Sequence, residues 1–337
     1  MGFNAILKTK RVYMLYLLPF ILAAIAFLRF TFGPEDFSVC LDLGVISIPD
    51  FQEQGGLWWK EIGVLALLCL SFLVFFVADR YKFLSHITVL PAVIYALLCI
   101  GVICRYGMSN YLVAALCVVL AVARLQSAIV NTQSNAPVFG FGLFSTLAVL
   151  LCPKLIMLIV WAIIVLPFSG RAALKDLVAL FIGIFSALFF TGCYYFLTDR
   201  LATLPDVFVQ ALTSGQVFWK IMPEKVVAFV VIGVLIVVSL YNVVVNYPMA
   251  IVAQRRGMLS MLSMLLFVGS SLFFIPFNCH GITLITAIPL SYMFTQYFIS
   301  HRTRWLGNVL FLLFIVAWVL IVLGINRMSA FPRECHH

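Results

Sequence analysis

The chain has 337 residues, of which 64% are hydrophobic and 10% charged, with a net charge of +9. Soluble domains carry roughly 45–50% apolar and roughly 25% charged residues, so this balance excludes a water-facing globule. A cytosolic enzyme, a secreted disulfide scaffold and a disordered tail are excluded with it. What remains is an all-α fold, a polytopic transmembrane bundle of about eleven helices in a single domain over residues 1–337, because only lipid tolerates so much apolar surface.

Apolar runs bounded by charges, proline or glycine predict spans at about 12–28, 62–78, 86–104, 110–130, 138–152, 155–169, 176–197, 226–248, 258–276, 281–299 and 305–325. The first follows Lys8, Lys10 and Arg11. It is longer than a signal-peptide core of about 7–15 residues and lacks a small-x-small cleavage site, so it reads as a retained helix. The fifth and sixth, 138–152 and 155–169, flank Cys152-Pro153-Lys154 and are short. They are either a hairpin that stops short of crossing or two crossing helices with clipped ends.

Two segments between spans have length. Residues 29–60 hold Glu35, Asp36, Asp42, Asp50 and Glu53 and end in Trp58-Trp59-Lys60, a pattern suited to the membrane interface. Residues 198–225 space Leu201, Leu204, Val207, Phe208, Ala211 and Leu212 by threes and fours among polar residues. That periodicity predicts an amphipathic helix lying on the outer surface.

Orientation follows from the cations. With the N-terminus inside and sides alternating, the inside holds twelve basic and two acidic residues, the outside nine basic and ten acidic. Cytoplasmic loops carry the excess of Lys and Arg, so the N-terminus is expected in the cytoplasm and the C-terminus in the periplasm. The scatter of these cations between apolar runs also argues against a nucleic-acid partner; membrane lipids are the expected partners.

Several residues carry a resemblance. They are Lys10-Arg11 before the first run, Asp79-Arg80-Tyr81-Lys82 after the second, and Ala121-Val122-Ala123-Arg124-Leu125 closing the fourth. The block from Ala136-Pro137-Val138-Phe139 through Cys152-Pro153-Lys154 to Arg171-Ala172-Ala173-Leu174-Lys175-Asp176 completes it. Over a little more than half its length the chain resembles a family of polytopic inner-membrane proteins of Bacteroidota, a domain without assigned activity. That resemblance implies a bacterial inner-membrane location and supplies no functional residues. A fainter likeness, through an acidic first outer loop with Glu35-Asp36 where an acid pair would stand, is to membrane glycosyltransferases that use polyprenyl-linked sugars.

Candidate site residues follow from their chemistry. Glu35 and Asp36 are candidate catalytic acids, able to act as a general base or to hold a divalent cation at a pyrophosphate. The plainer alternative is a solvated acidic loop. Arg200, Lys220 and Lys225 are candidates for binding a lipid phosphate, against ordinary snorkelling of long side chains. Asn242 and Asn246 lie four apart on one helix face, and intramembrane amides need partners, so that face is expected to look into the bundle, either along a polar substrate path or in plain interhelical hydrogen bonding.

Arg124, Gln126, Asn131, Arg171 and Lys175 are expected on the inner surface, where topology alone explains their charge. No CxxC or zinc-type spacing occurs, so no metal site is expected, and no cofactor is identified. Two functions stay open. One is an envelope-glycan enzyme acting on a polyprenyl-linked substrate; the other is a non-catalytic transporter or subunit of an envelope assembly.

Overall fold

The computed structural model describes residues 18–20, 23–24, 44–46, 56–81, 88–213, 223–247, 252–271, 280–299 and 314–315. Among them the fold is all-α, with no strand. In chain order the helices are α1 Gly56–Arg80, α2 Leu90–Tyr106, α3 Asn110–Val130, α4 Ala136–Leu151, α5 Met157–Phe168 and α6 Leu174–Leu197. They continue as α7 Leu204–Thr213, α8 Pro223–Asn246, α9 Val252–Ser270 and α10 Thr283–Ile299. Three of these, α1 from Lys60 onward, α3 and α6, are long and apolar enough to cross a membrane. The predicted runs 12–28 and 305–325 lie largely outside the described residues.

Helix boundaries fall where the backbone chemistry changes. Pro91 and Pro137 sit in the first turns of α2 and α4, where a missing N–H costs no helical bond. Helix α2 ends at Gly107, whose φ of 66° is a conformation glycine adopts readily, with its N–H bonded to the Ile103 carbonyl. Pro153 has no N–H to continue α4 and starts a 3-10 turn, Pro153–Leu155, that leads into α5. Helix α1 begins at Gly56, so Trp58, Trp59 and Lys60 belong to its first turns rather than to the preceding loop.

The elements alternate between two ends. One, the basic end, carries Arg80, Arg124, Arg171, Lys175, Arg255 and Arg256. Helices α4 and α5 traverse the bundle between the same ends as their neighbours. The last residue of α4, Leu151, lies level with the first of α3, Asn110, since both border Gly44 at the opposite end. At the basic end, Arg171 just beyond α5 touches the loop that leads into α4. The Cys152-Pro153 break is thus a turn between two traversing helices.

Helix α3 is central, packing against α1, α4, α9 and α10 and buried on most sides. Polar pairs stitch the apolar interfaces. The hydroxyl of Tyr95 donates to the Leu284 carbonyl at 3.0 Å and that of Tyr292 to the Val74 carbonyl at 2.9 Å. On α9, Ser260 accepts from the Gln126 amide at 3.2 Å and Ser263 from the Trp161 indole at 3.0 Å. Such bonds hold helices together where burial against lipid supplies no driving force.

Two residues expected on the inner surface are inside the protein. Gln126 is buried against Ser260. Arg171, 3% exposed, pairs with Asp176 at 3.1 Å and donates to the carbonyls of Ala128, Ser134 and Asn131. It ties the end of α3 and the α3–α4 loop to the start of α6. A position near the basic end says nothing about burial, and the guanidinium is drawn in by carbonyls that the ended helix leaves unpaired.

Helix α6 lies at the periphery, packing chiefly on α4. Its inward residues are Leu180, Gly183, Ala187, Thr191 and Tyr195, a stripe one helical face wide. Much of the rest of its surface is apolar and exposed, Phe181, Phe185 and Phe189 among it. A patch of this kind is stable where hydrocarbon rather than water covers it.

Candidate functional site

At the end opposite the basic one, α4 and α6 flank a half-open cavity of about 560 Å³. That lies inside the roughly 300–1,000 Å³ range of small-ligand sites. Leu143 and Leu147 on α4 face Ala187, Phe190, Thr191, Tyr194 and Tyr195 on α6, and Val45 with Ile46 closes one side. Thr198 and Arg200 stand at the rim, just past the end of α6. The interior is apolar and aromatic, while the rim carries a cation.

Local backbone chemistry places each part. Val45 and Ile46 donate their N–H groups to the Leu150 carbonyl at 3.0 and 3.3 Å, using an acceptor at the end of α4 that has no helical partner. The Tyr195 hydroxyl donates to the Val45 carbonyl at 2.6 Å, so this short segment is fastened to both helices. Helix α6 stops in a left-handed cap. Asp199 has φ of 54°, and the N–H of Arg200 returns to the Tyr195 carbonyl at 2.9 Å. This six-to-one bond closes the helix and turns Arg200 back over its end.

Helix α7 covers the neighbouring part of this end. Leu204 and Phe208 pack against Val45, Leu150, Ala187 and Tyr195, while Asp206 and Gln210 are exposed. Ten residues are too few to cross a bilayer, and α7 rests on the Pro153–Leu155 turn. The amphipathic helix expected within 198–225 is therefore present as Leu204–Thr213, after a cap and a 3-10 turn, Leu201–Thr203.

Of the residues singled out from sequence, Arg200 stands at the cavity. Glu35, Asp36 and Lys220 lie outside the described residues, and Lys225 is on the first turn of α8 with its side chain outside them. Asn242 is buried, 8% exposed. Asn246 ends α8, its side chain outside the described residues. Among the described residues no cluster of His, Cys, Asp and Glu could hold a metal ion.

The sequence reading missed Thr191, Tyr194, Tyr195 and Thr198. Their spacing of three and four puts hydroxyls on one side of the last two turns of α6, a signal hidden within an apolar run.

Comparison with protein-family models, with curated proteins and with solved structures finds no match.

Proposed function

We propose that the chain is a bacterial inner-membrane protein of the cell envelope that takes up a polyprenyl-linked glycan carrier at the outer face. The observation that supports this most directly is the apolar cavity between α4 and α6 with Arg200 at its rim. An isoprenoid tail suits the aliphatic and aromatic interior, and a guanidinium is the side chain best matched to a phosphate. The wall residues Phe190 and Tyr194 are 69% and 64% exposed on the face of α6 that meets lipid, so a tail has a lateral route from the bilayer.

In this reading the basic end faces the cytoplasm, as the positive-inside bias requires, and the cavity opens at the periplasmic leaflet. Lys220 and Lys225 would assist Arg200 at the phosphate, and Glu35 or Asp36 would act as base or cation ligand. Glycan processing is the activity that joins these parts.

The test is binding of a polyprenyl phosphate to the protein in phosphatidylcholine nanodiscs. Arg200→Gln is expected to weaken it about tenfold, the loss of one charge-assisted contact. Unchanged binding in that variant overturns the site. Cysteines at Thr132 and Ala202, exposed at opposite ends, report orientation. An impermeant maleimide should reach Ala202→Cys in intact cells and Thr132→Cys only after permeabilisation; the reverse pattern overturns the topology. The chemistry fails if Glu35→Gln and Asp36→Asn restore every glycan phenotype of a deletion strain.

A further inference from the structure

The hydroxyl groups around the cavity share a property that bears on what it accepts. Thr191 donates its proton to the Ala187 carbonyl at 3.0 Å, and Tyr195 donates to Val45 at 2.6 Å. Thr198, at the rim, donates toward the carbonyls of Tyr194 and Tyr195 at 3.0 and 3.2 Å. Each of these oxygens has its single proton committed to the backbone and keeps lone pairs that can accept. Tyr194, mostly exposed, is the remaining hydroxyl of the lining.

Arg200 is the opposite case, since a guanidinium donates and never accepts. The rim therefore pairs a donor-only cation with an acceptor oxygen on Thr198, two residues before it in the chain. A bare phosphate satisfies the first, but engages Thr198 only by drawing its proton away from the Tyr194 and Tyr195 carbonyls. A head that pairs the anion with a hydroxyl satisfies both.

We infer that the cavity selects lipids whose phosphate carries a hydrogen-bond donor beside it, with Arg200 on the phosphate and Thr198 accepting from the donor. This rests on the reading of the cavity as a site for a phosphate-bearing lipid and adds a headgroup class to it. Two sources supply that chemistry: a glycerophospholipid with a hydroxylated head, and a polyprenyl phosphate esterified to a sugar. Both bring a phosphodiester anion with neighbouring hydroxyls.

The experiment uses the full chain in phosphatidylcholine nanodiscs and competes four lipids against a spin-labelled anionic lipid. Phosphatidylglycerol and phosphatidylmethanol have the same charge and chains, and only the first carries donors. A polyprenyl phosphosugar and the methyl ester of the same polyprenyl phosphate form the second pair. The donor-bearing member is expected to bind about three- to tenfold tighter in at least one pair, the worth of one ordinary hydrogen bond. The pair with the larger ratio identifies the source.

Thr198→Val should abolish that ratio, and Thr198→Ser, which keeps the oxygen, should retain it. Arg200→Gln should weaken all four lipids together. Equal binding within both pairs, or a ratio that survives Thr198→Val, overturns the selection while leaving the lipid site intact. Binding of all four that is indifferent to Arg200→Gln overturns the lipid site itself.

Discussion

Gly142 on α4 and Gly183 on α6 stand against each other's helix. A Cβ on Gly142 would overlap the Leu180 carbonyl oxygen, and one on Gly183 would overlap that of Phe139. The two backbones meet at this point, and the cavity lies on the side of it away from the basic end, where Leu143 and Leu147 face Ala187 and Thr191. The pair marks where α6 is seated on α4, its chief neighbour. Small residues permit such approach between membrane helices, and dispersion over the close contact supplies the attraction.

Enlarging either glycine should therefore act on stability. Gly183→Val is expected to cost about 1–3 kcal/mol, the usual penalty of overpacking. Gly192 on the same helix has open space around the position of a Cβ. Gly192→Ala should leave stability unchanged or raise it by up to about 1 kcal/mol through helix propensity. Thermal unfolding in detergent compares the two, and equal effects would show that the glycine contact is not what seats α6.

Arg171 and Asp176 form a buried pair, each about 3% exposed at the side chain. Removing one partner leaves an uncompensated charge, so Asp176→Leu should destabilise by about 3–5 kcal/mol. Replacing both, as Arg171→Met with Asp176→Leu, removes the stranded charge but frees the carbonyls of Ala128, Asn131 and Ser134. The double variant should be less destabilised than the sum of the single ones. A double-mutant cycle by thermal unfolding measures that coupling.

Much of this architecture is legible along the chain because lipid imposes length and apolarity on each segment separately. The run 110–130 coincides with α3, and 176–197 differs from α6 by two residues at its start. The cavity was not legible, because it depends on contacts between distant parts. Tyr195 and Val45 are 150 positions apart, and nothing in either segment names the other. Arg171 shows the same limit: its place near a helix end is readable, whereas its burial depends on which carbonyls surround it.

The serines of α9 carry a second test of packing. Gln126 donates to Ser260, which itself donates to the Gly257 carbonyl at 2.6 Å, and Trp161 donates to Ser263. Interhelical bonds of this kind average about 0.6 kcal/mol inside membranes. Ser263→Ala should cost about that much and Trp161→Phe more, since the smaller ring also loses its fit against Phe141, 5.4 Å away edge-on. In the variant that combines them, the shared bond is lost once, so the combined loss should fall short of the sum. Unfolding of the three variants in one detergent decides it.

Asp199 offers a test that separates shape from charge at the cavity rim. Its φ of 54° lies in the left-handed region, which costs an ordinary L-residue roughly 1–2 kcal/mol and a glycine almost nothing. Asp199→Gly should therefore keep the cap, keep the Arg200 N–H on the Tyr195 carbonyl and leave lipid binding unchanged. Asp199→Val brings a β-branched side chain into that region and should open the cap, displacing Arg200 from the rim. The expected outcome is reduced binding of a polyprenyl phosphate in the valine variant alone, read in nanodiscs beside Arg200→Gln. A glycine variant as impaired as the valine one would show that the Asp199 carboxylate, rather than the backbone turn it permits, holds the rim together.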